Sequence, residues 1–543
     1  MVSEFKNEPL LDFNKPDTRR SMEAALAGVL RETGREIPVI IGGERIKTKN
    51  KKTTTNPCNP AEALATVYRA DKNLAEKALK TATQAFETWR NIPATERASV
   101  LFKAADGMRR RRYEMDATLV LEVSKSWIEA DADTCEAIDF LEFYGREMLR
   151  YAGEQPLVRV PGEKNRLEYI PLGTGVVIAP WNFPNAILCG MVAAAVVSGN
   201  TVVMKPASSA PLTGYKVFEI LKAAGLPDGV LNFIPAAGGE VGDYLVDSTL
   251  TRWIAFTGSR DIGVRIYERA AKVHPGQKWL KRVIAEMGGK DAIVVDDDAD
   301  LEEAATGAVQ AAYGFQGQKC SACSRLIATP KSYEKVLDLV VKKTKALKVG
   351  DVRNPDNTVG AVIDESAYKK ILGYLEIAKR EGKVLAGGGA AKEAGPGYFI
   401  KPTVVANVSE KARIAKEEIF GPVLAVIKAK DFDDALRIAN NTDYGLTGAV
   451  YTNKKDRIEK AERDFHAGNL YVNRKCTGAM VGVHPFGGFN MSGTDSKAGG
   501  RDYLLLFLQA KTISERVAQP APPAPVGRPG FMGRRIPAKA GKK

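Results

Sequence analysis

Five short apolar runs constrain the fold of this chain more than any other feature. They are TGVVIAP (174–180), NTVVMKP (200–206), VLNFIPA (230–236), TRWIAFTGS (251–259) and KRVIAEMGG (281–289). Each is rich in β-branched residues and apolar at both odd and even positions. A strand with one wet face alternates apolar and polar, so a strand apolar on both parities must be covered on both faces. Helix-like stretches lie between the first four runs, and that alternation predicts a parallel sheet with helices on its faces. A second alternation begins near residue 290. AIVVDDDAD leads into LEEAATGAVQAAYGF, with Asp298 or Asp300 placed to cap the helix; SRLIATP leads into SYEKVLDLVVKKTKAL; GPVLAVIKAKDFDDALRIANNT repeats the pattern. The expected fold is therefore α/β, with two parallel-sheet α/β domains in tandem. Upstream, residues 70–157 space their apolar residues at three and four and read as helices. YIPLGTG near 169–175 and KTISERVA near 511–518 flank the body and are expected to pair as an antiparallel arm.

Composition narrows the function classes. The 543 residues are 44% apolar and 27% charged, an ordinary balance for a soluble protein of two or three domains. The absence of an apolar run of about 18 residues excludes a transmembrane helix, and the polar, mixed-charge start does not resemble a secretory leader. A cytoplasmic protein without membrane attachment is expected. The six cysteines and three histidines (His274, His466, His484) neither form a disulfide framework nor offer a second ligand pair beside Cys320 and Cys323, so no metal site is expected. The net charge is +14, of which Arg528, Arg534, Arg535, Lys539, Lys542 and Lys543 contribute six, leaving +8 on the body. These six lie in residues 518–543, a Pro-, Ala- and Gly-rich stretch that reads as a disordered basic tail. A scaffold or nucleic-acid-binding role would rest on that charge alone. No aromatic-interleaved basic patch supports it, and no nucleic-acid partner is expected.

Candidate chemistry sits where strands end. WIAFTGSRDIG puts Thr257, Gly258, Ser259 and Gly263 after a strand and at a helix start, where backbone amides and the helix dipole favour a pyrophosphate. The same turn serves equally as a plain connection. VVMKPASSA carries Lys205 just past a strand, able to reach a ribose or phosphate, or merely solvated. APWNFP brackets Asn182 with two prolines that stiffen the loop; its amide is either a preorganised donor or a cap. Glu286 ends an apolar run before Gly288 and Gly289, as a cap or as the leading candidate for a base. GFQGQKCSACSRLIA (314–328) holds Cys320 and Cys323 after a helix and a glycine-rich turn. That pair admits a metal, a redox or a nucleophilic reading, with turn amides able to stabilise a thiolate.

Taken together these motifs resemble the aldehyde dehydrogenase superfamily. The order PWNFP, KPA, FTGSRDIG, EMGGK, GQKCSACSR, EEIFGPV and NRKCTGA with HPFGG carries the likeness over roughly residues 38–517. FQGQKCSACSR, EAIDFLEFYGRE and HPFGGFNMSGTDSKAGGRDYL are most similar to the branch that oxidises L-glutamate γ-semialdehyde, the open form of 1-pyrroline-5-carboxylate, to L-glutamate in proline catabolism. The resemblance implies that Cys320 is the nucleophile, that Asn182 and the Cys320 backbone N–H hold the oxyanion, and that Glu286 activates water against a thioester. It implies NAD as cofactor, with Lys205 and Glu418 on ribose hydroxyls, Ser259 at the pyrophosphate and Phe420 beside the nicotinamide. Ser208 stands where many NAD-preferring relatives carry a glutamate, which leaves NADP open. Ser321 and the backbone of Gly478 and Ala479 would grip the amino-acid end of the substrate, Phe183 and Phe486 would sandwich its chain, and Glu136 joins the candidate substrate contacts. Cys323 would be a bystander. Cys476 and Met480 depart from the aliphatic residues expected in the anchor segment. A different semialdehyde or an aliphatic aldehyde is the alternative substrate.

The same resemblance divides the chain. It implies an N-terminal extension (1–37), a Rossmann-like NAD-binding domain (38–157 and 173–288) and a catalytic domain (289–478). Residues 158–172 and 479–517 would form an oligomerisation arm and the substrate anchor loop, followed by the tail (518–543). A homo-oligomer is expected, a dimer or an assembly of dimers, and a functional link to a separate proline dehydrogenase is left open.

Overall fold

Both-face burial is met in four of the five strands, and the edge strand Arg282–Glu286 is buried only from Ile284 onward. The computed structural model describes residues 3–517, and strands Thr174–Ile178, Thr201–Lys205 and Trp253–Thr257 are buried at every position. Their side chains divide by parity. Val176, Ile178, Ile254 and Phe256 enter one core with helices Lys72–Trp89, Gly238–Asp247 and Arg260–Ala271. Val177, Trp253 and Ala255 enter another with helices Ala186–Val197 and Pro211–Ala223. Burial on both faces keeps the middle of each strand apolar and confines polar residues such as Thr174, Lys205 and Thr257 to its ends, the pattern read in the sequence.

The first sheet has seven strands in the order Arg282–Glu286, Trp253–Thr257, Thr174–Ile178, Thr201–Lys205, Leu231–Phe233, Val39–Ile41, Glu44–Ile46. The first five run parallel and the last two are antiparallel additions. The second sheet runs Lys383–Ala386, Thr403–Ala406, Val423–Lys428, Cys323–Ala328, Asp291–Val295, Thr447–Tyr451, Asn469–Val472, parallel except for the first. It too splits by parity, with Val294 and Ile327 on one side and Ile293 and Leu326 on the other. The cap ambiguity resolves to Asp300, whose carboxylate accepts from the N–H groups of Glu302 and Glu303 at 3.0 and 3.1 Å. Asp298 instead accepts from the Thr452 hydroxyl at 2.8 Å.

Three features depart from the sequence reading. The arm is antiparallel, but it joins Glu163–Pro171 to Leu508–Arg516, with Leu508 opposite Pro171 and Arg516 opposite Glu163. Thr174 and Gly175, read as part of it, are buried in the sheet, and Gly173 at φ +138° makes the turn between the two. The N-terminal extension contains a helix, Pro16–Arg31, started by its proline and buried through Met22, Leu26 and Val29. Arg35–Ile37, Lys51–Asn56 and Asn59–Tyr68 make a separate three-stranded sheet. Its KKTTTN strand shows no apolar run, which hid it. The basic tail lies outside the described residues. Among those described, no helix is long and apolar enough to cross a membrane.

Candidate active site

The candidate residues converge between the carboxyl ends of the two sheets. On the first sheet the register pairs Thr257 with Glu286, Phe256 with Ile178, and Ile178 with Lys205, which brings Thr257, Glu286 and Lys205 to one edge. Lys205 is buried, not solvated. Its ammonium donates to the Pro206 carbonyl at 3.4 Å, and desolvation, helped by nearby Arg69, lowers its pKa to about 8. Ser208 donates to the Ala236 carbonyl at 3.0 Å and lines a cleft with Lys52 and Arg69. Ser259 precedes helix Arg260–Ala271 in extended conformation without spending its side chain on a cap. Gly258 and Gly263 are glycines for a different reason from the one the sequence offered. A Cβ at Gly258 would overlap the Phe256 ring, and one at Gly263 would overlap Met287, so both answer first to internal packing.

The second sheet delivers the cysteine. Helix Leu301–Tyr313 gives way to a 3-10 turn, Gly314–Gly317, in which Phe315 and Gln316 take φ of +49° and +58°. Such angles are uncommon for side-chain-bearing residues and must be held. The Gln316 amide donates to the carbonyls of Ser124 and Ala361 at 2.9 and 2.8 Å. Gln318 accepts the Ile363 N–H on its side chain at 3.0 Å and the Asn182 Nδ2 on its carbonyl at 3.1 Å. Asn182 therefore spends one amide hydrogen fixing the chain two residues before Cys320. Gly289 lets the two sheets meet, because a Cβ there would overlap the Cys320 carbonyl oxygen. Its N–H donates to Glu418 Oε1 at 3.0 Å, and the Glu418 carboxylate fills the space a Cβ on Gly288 would need.

Cys320 is half-buried at the mouth of this junction. Desolvation, then the carboxylates of Glu286, Asp291 and Glu418, push its thiol well above the usual range, while the Ser321 N–H pulls the other way. Glu286 is buried at the end of its strand. Burial raises its pKa to about 8, opposed by the Ser496 hydroxyl, which donates to Oε2 at 3.3 Å. Oε1 has no hydrogen-bond partner. With one oxygen bare and the other held by the Ser496 hydroxyl, the carboxyl is not a backbone-amide cap. Burial also raises Glu418, with Gly289, Lys370 and Lys290 opposing. Phe420, at φ +58°, sets its ring edge-to-face with Trp181 at 5.5 Å.

On the opposite side Ser321 is buried, and its carbonyl accepts from Cys476 Sγ at 3.4 Å, which ties the anchor segment to the cysteine turn. Gly478 takes φ +83° and is exposed. Arg474 donates to the Thr477 and Gly478 carbonyls at 3.0 Å, and His484 Nδ1 accepts the Met480 N–H at 3.2 Å. Ala479 lies half-buried between them. Phe183 packs edge-to-face with Phe315 at 6.4 Å. Phe486 is held by reciprocal backbone bonds with Ala498. Burial beside Asp133 raises Glu136 to about 8. Cys323 is buried and, like the other cysteines, free of any disulfide.

Two site features escaped the sequence reading. Lys125 is fully buried, pairs with Asp133 at 2.9 Å and lies 3.6 Å from the Phe183 ring centroid. A lone lysine between two helices carries no local signal of that role. The segment around Ser492–Ser496 runs along the Glu286 strand, with the Met287 N–H bonded to Ser492 at 2.7 Å and the Thr494 N–H to Ala285 at 2.9 Å. Its motif was legible but its docking partner was not.

Comparison with known proteins identifies the family. The model of the aldehyde dehydrogenase family matches residues 46–513. The 1-pyrroline-5-carboxylate dehydrogenase of Geobacillus thermodenitrificans is 59% identical over 515 residues, covering 95% of this chain and all of the relative. The enzyme of the same name from Anoxybacillus flavithermus is 58% identical with the same coverage. Among solved structures, a Thermus 1-pyrroline-5-carboxylate dehydrogenase with bound NAD superposes with a TM-score of 0.93 at 52% identity, over 95% of this chain and all of that one. Proline utilization A from Bdellovibrio bacteriovorus also gives 0.93, at 43% identity, over 96% of this chain and 54% of that chain.

Proposed function

The chain belongs to the aldehyde dehydrogenase family, and we propose that it oxidises L-glutamate γ-semialdehyde, the open form of 1-pyrroline-5-carboxylate, to L-glutamate with NAD. The observation that carries the reading is the meeting of Cys320 and Glu286, brought from different sheets to one junction, with Glu286 buried and one of its oxygens bare. Relatives 58 and 59% identical over their full length bear that enzyme's name.

The residues divide the work. The Cys320 thiol loses its proton to solvent, and the sulfur adds to the aldehyde carbon to give a thiohemiacetal oxyanion, whose oxygen is held by the second Asn182 amide hydrogen and the Cys320 N–H. Losing one such donor costs about 3 kcal/mol of transition-state stabilisation. NAD, when bound, supplies the ring that accepts the hydride leaving that carbon. A thioester then remains on Cys320. Glu286, as carboxylate, takes a proton from water, which attacks the thioester and releases the acid with the thiol restored.

The chain fits the dinucleotide. Lys205 and Glu418 are buried with unspent hydrogen-bonding capacity for ribose hydroxyls. Ser259 opens a helix N-terminus for the pyrophosphate after Thr257 and Gly258, Gly263 lies in that helix's first turn, and Phe420 borders the nicotinamide side. Ser208 places no negative charge at the adenosine ribose, so NADP is also accommodated. Ser321 with the Gly478 and Ala479 N–H groups receives the substrate carboxylate, Phe183 and Phe486 flank the aliphatic chain, and Glu136 faces the amino group. The enzyme acts in the cytoplasm downstream of a separate proline dehydrogenase, as a dimer or an assembly of dimers.

NADH formation from 1-pyrroline-5-carboxylate, with NAD and NADP in parallel and propionaldehyde as competitor, tests this. The pyrroline should turn over faster than propionaldehyde, and Cys320→Ala should abolish both reactions while NAD still binds. Turnover of the pyrroline no faster than propionaldehyde would overturn the substrate assignment.

A further inference from the structure

The segment ahead of the first helix is tied to the anchor loop, although it lies outside the part of the chain that matches the family, residues 46–513. Asn7 Nδ2 donates to Asp139 Oδ2 at 2.8 Å and to the Val481 carbonyl at 2.9 Å. The Glu8 N–H donates to the other Asp139 oxygen at 2.7 Å, and the Glu8 carboxylate pairs with Arg109 at 2.9 Å. Phe5 packs edge-on against Phe143 at 5.2 Å. A Cβ on Gly482 would lie 3.1 Å from both of those rings, so the loop is seated closely against them. Asp139 and Phe143 belong to helix Trp127–Ala152, which also carries Glu136. Val481 follows Ala479 by two residues.

The loop needs such a tie. Gly478 and Gly482 both take positive φ, at +83° and +76°, and glycines at those positions leave the free backbone with many conformations. Arg474 and His484 fix one side, through the Gly478 carbonyl and the Met480 N–H. The Asn7 amide fixes the other and links it to the helix that bears Glu136. We propose that residues 5–8 act as a strap that positions the substrate anchor loop, with Asn7 as a positioning residue for binding of the amino-acid end of the substrate. The inference rests on the reading of Gly478 and Ala479 as the carboxylate anchor.

Asn7→Ala, which keeps Phe5 and Glu8 in place, tests it. The KM for 1-pyrroline-5-carboxylate should rise about five- to tenfold, the effect of losing one or two ordinary hydrogen bonds. The kcat, the KM for NAD and kcat/KM for propionaldehyde should each stay within about twofold, on the same reasoning that none depends on those bonds. An unchanged KM for the pyrroline, or an equal loss with both aldehydes, would overturn the proposal. Hydrogen–deuterium exchange supplies a readout that needs no substrate. In Asn7→Ala the amides of residues 478–484 should exchange faster while those of 174–178 do not, and unchanged exchange would overturn the strap. If wild-type protein does not favour the pyrroline, the anchor reading fails, and the exchange result still decides whether the strap holds the loop.

Discussion

Glu286 ends an apolar strand, and that position sets its chemistry. Burial raises its pKa to about 8 and leaves one oxygen bare. Below that pH the group is mostly protonated and cannot take a proton from water. Thioester hydrolysis should therefore climb about tenfold per pH unit up to pH 8 and level off above it. Stopped-flow measurement of NADH should show Glu286→Gln releasing a burst of about one equivalent per site, followed by slow turnover with no inflection near pH 8. Normal steady-state turnover in the variant would remove Glu286 from the role of base. The same shift has a stability consequence with a definite sign. The folded protein holds a proton that the unfolded chain releases above about pH 4.5, so this group's contribution is full below pH 4.5 and is lost as pH rises through about 8. At this scale the sequence was legible wherever a residue closed an apolar run or sat in a motif, as Glu286, Lys205, Asn182 and Cys320 do. It was silent on Lys125, whose role comes from burial, and on what Gln318 does within its motif, because its partner Asn182 lies more than a hundred residues away.

At the scale of elements, parity along the strands was the strongest signal, because a side chain's face is fixed by the backbone period. The three-stranded sheet at 35–68 was missed since its KKTTTN strand is exposed at three of six positions and carries no apolar run. Glycines were legible as positions but not as causes. Gly258 and Gly263 yield space to Phe256 and Met287, whereas Gly289 yields space to the Cys320 carbonyl. The last contact makes the junction of the two sheets sensitive to one methyl group. Gly289→Ala should push the Cys320 turn aside, and a shift approaching 1 Å at the nucleophile lowers kcat by about a hundredfold. NAD binding, which the proposal assigns to Lys205 and Ser259 at the strand ends of the first sheet, should survive. A kcat close to wild type in Gly289→Ala, with NAD affinity measured by titration as the control, would show that the turn can yield without moving the sulfur.

At the scale of the whole molecule, the arm stands largely uncovered among the described residues. The arm pairs nine residues of Glu163–Pro171 with nine of Leu508–Arg516, and most of its side chains are exposed. Its base is well held, with Arg282 donating to the carbonyls of Leu505, Leu506 and Leu508 at 2.7, 2.8 and 2.9 Å, and Phe507 edge-on to Trp253 at 5.1 Å. Its outer part is a two-stranded ribbon, which is marginally stable alone in water. Both outer edges also present unpaired backbone groups that invite another chain. A second copy laid against the arm would satisfy both needs, and that is the physical ground for the oligomer proposed above. Light scattering on the purified protein should give the mass of a dimer or of an assembly of dimers. Ladder bonding follows Val517, whose N–H donates to the opposite Gly162 carbonyl, and so falls on the odd-numbered residues of that strand; Thr512→Pro therefore removes an outward-facing N–H from the middle of the arm's edge and should shift the mass toward the single chain. The site lies at the junction of the two sheets, so NAD binding by the variant should persist. A wild-type mass of one chain, or a variant with unchanged mass, would show that the arm is not the contact.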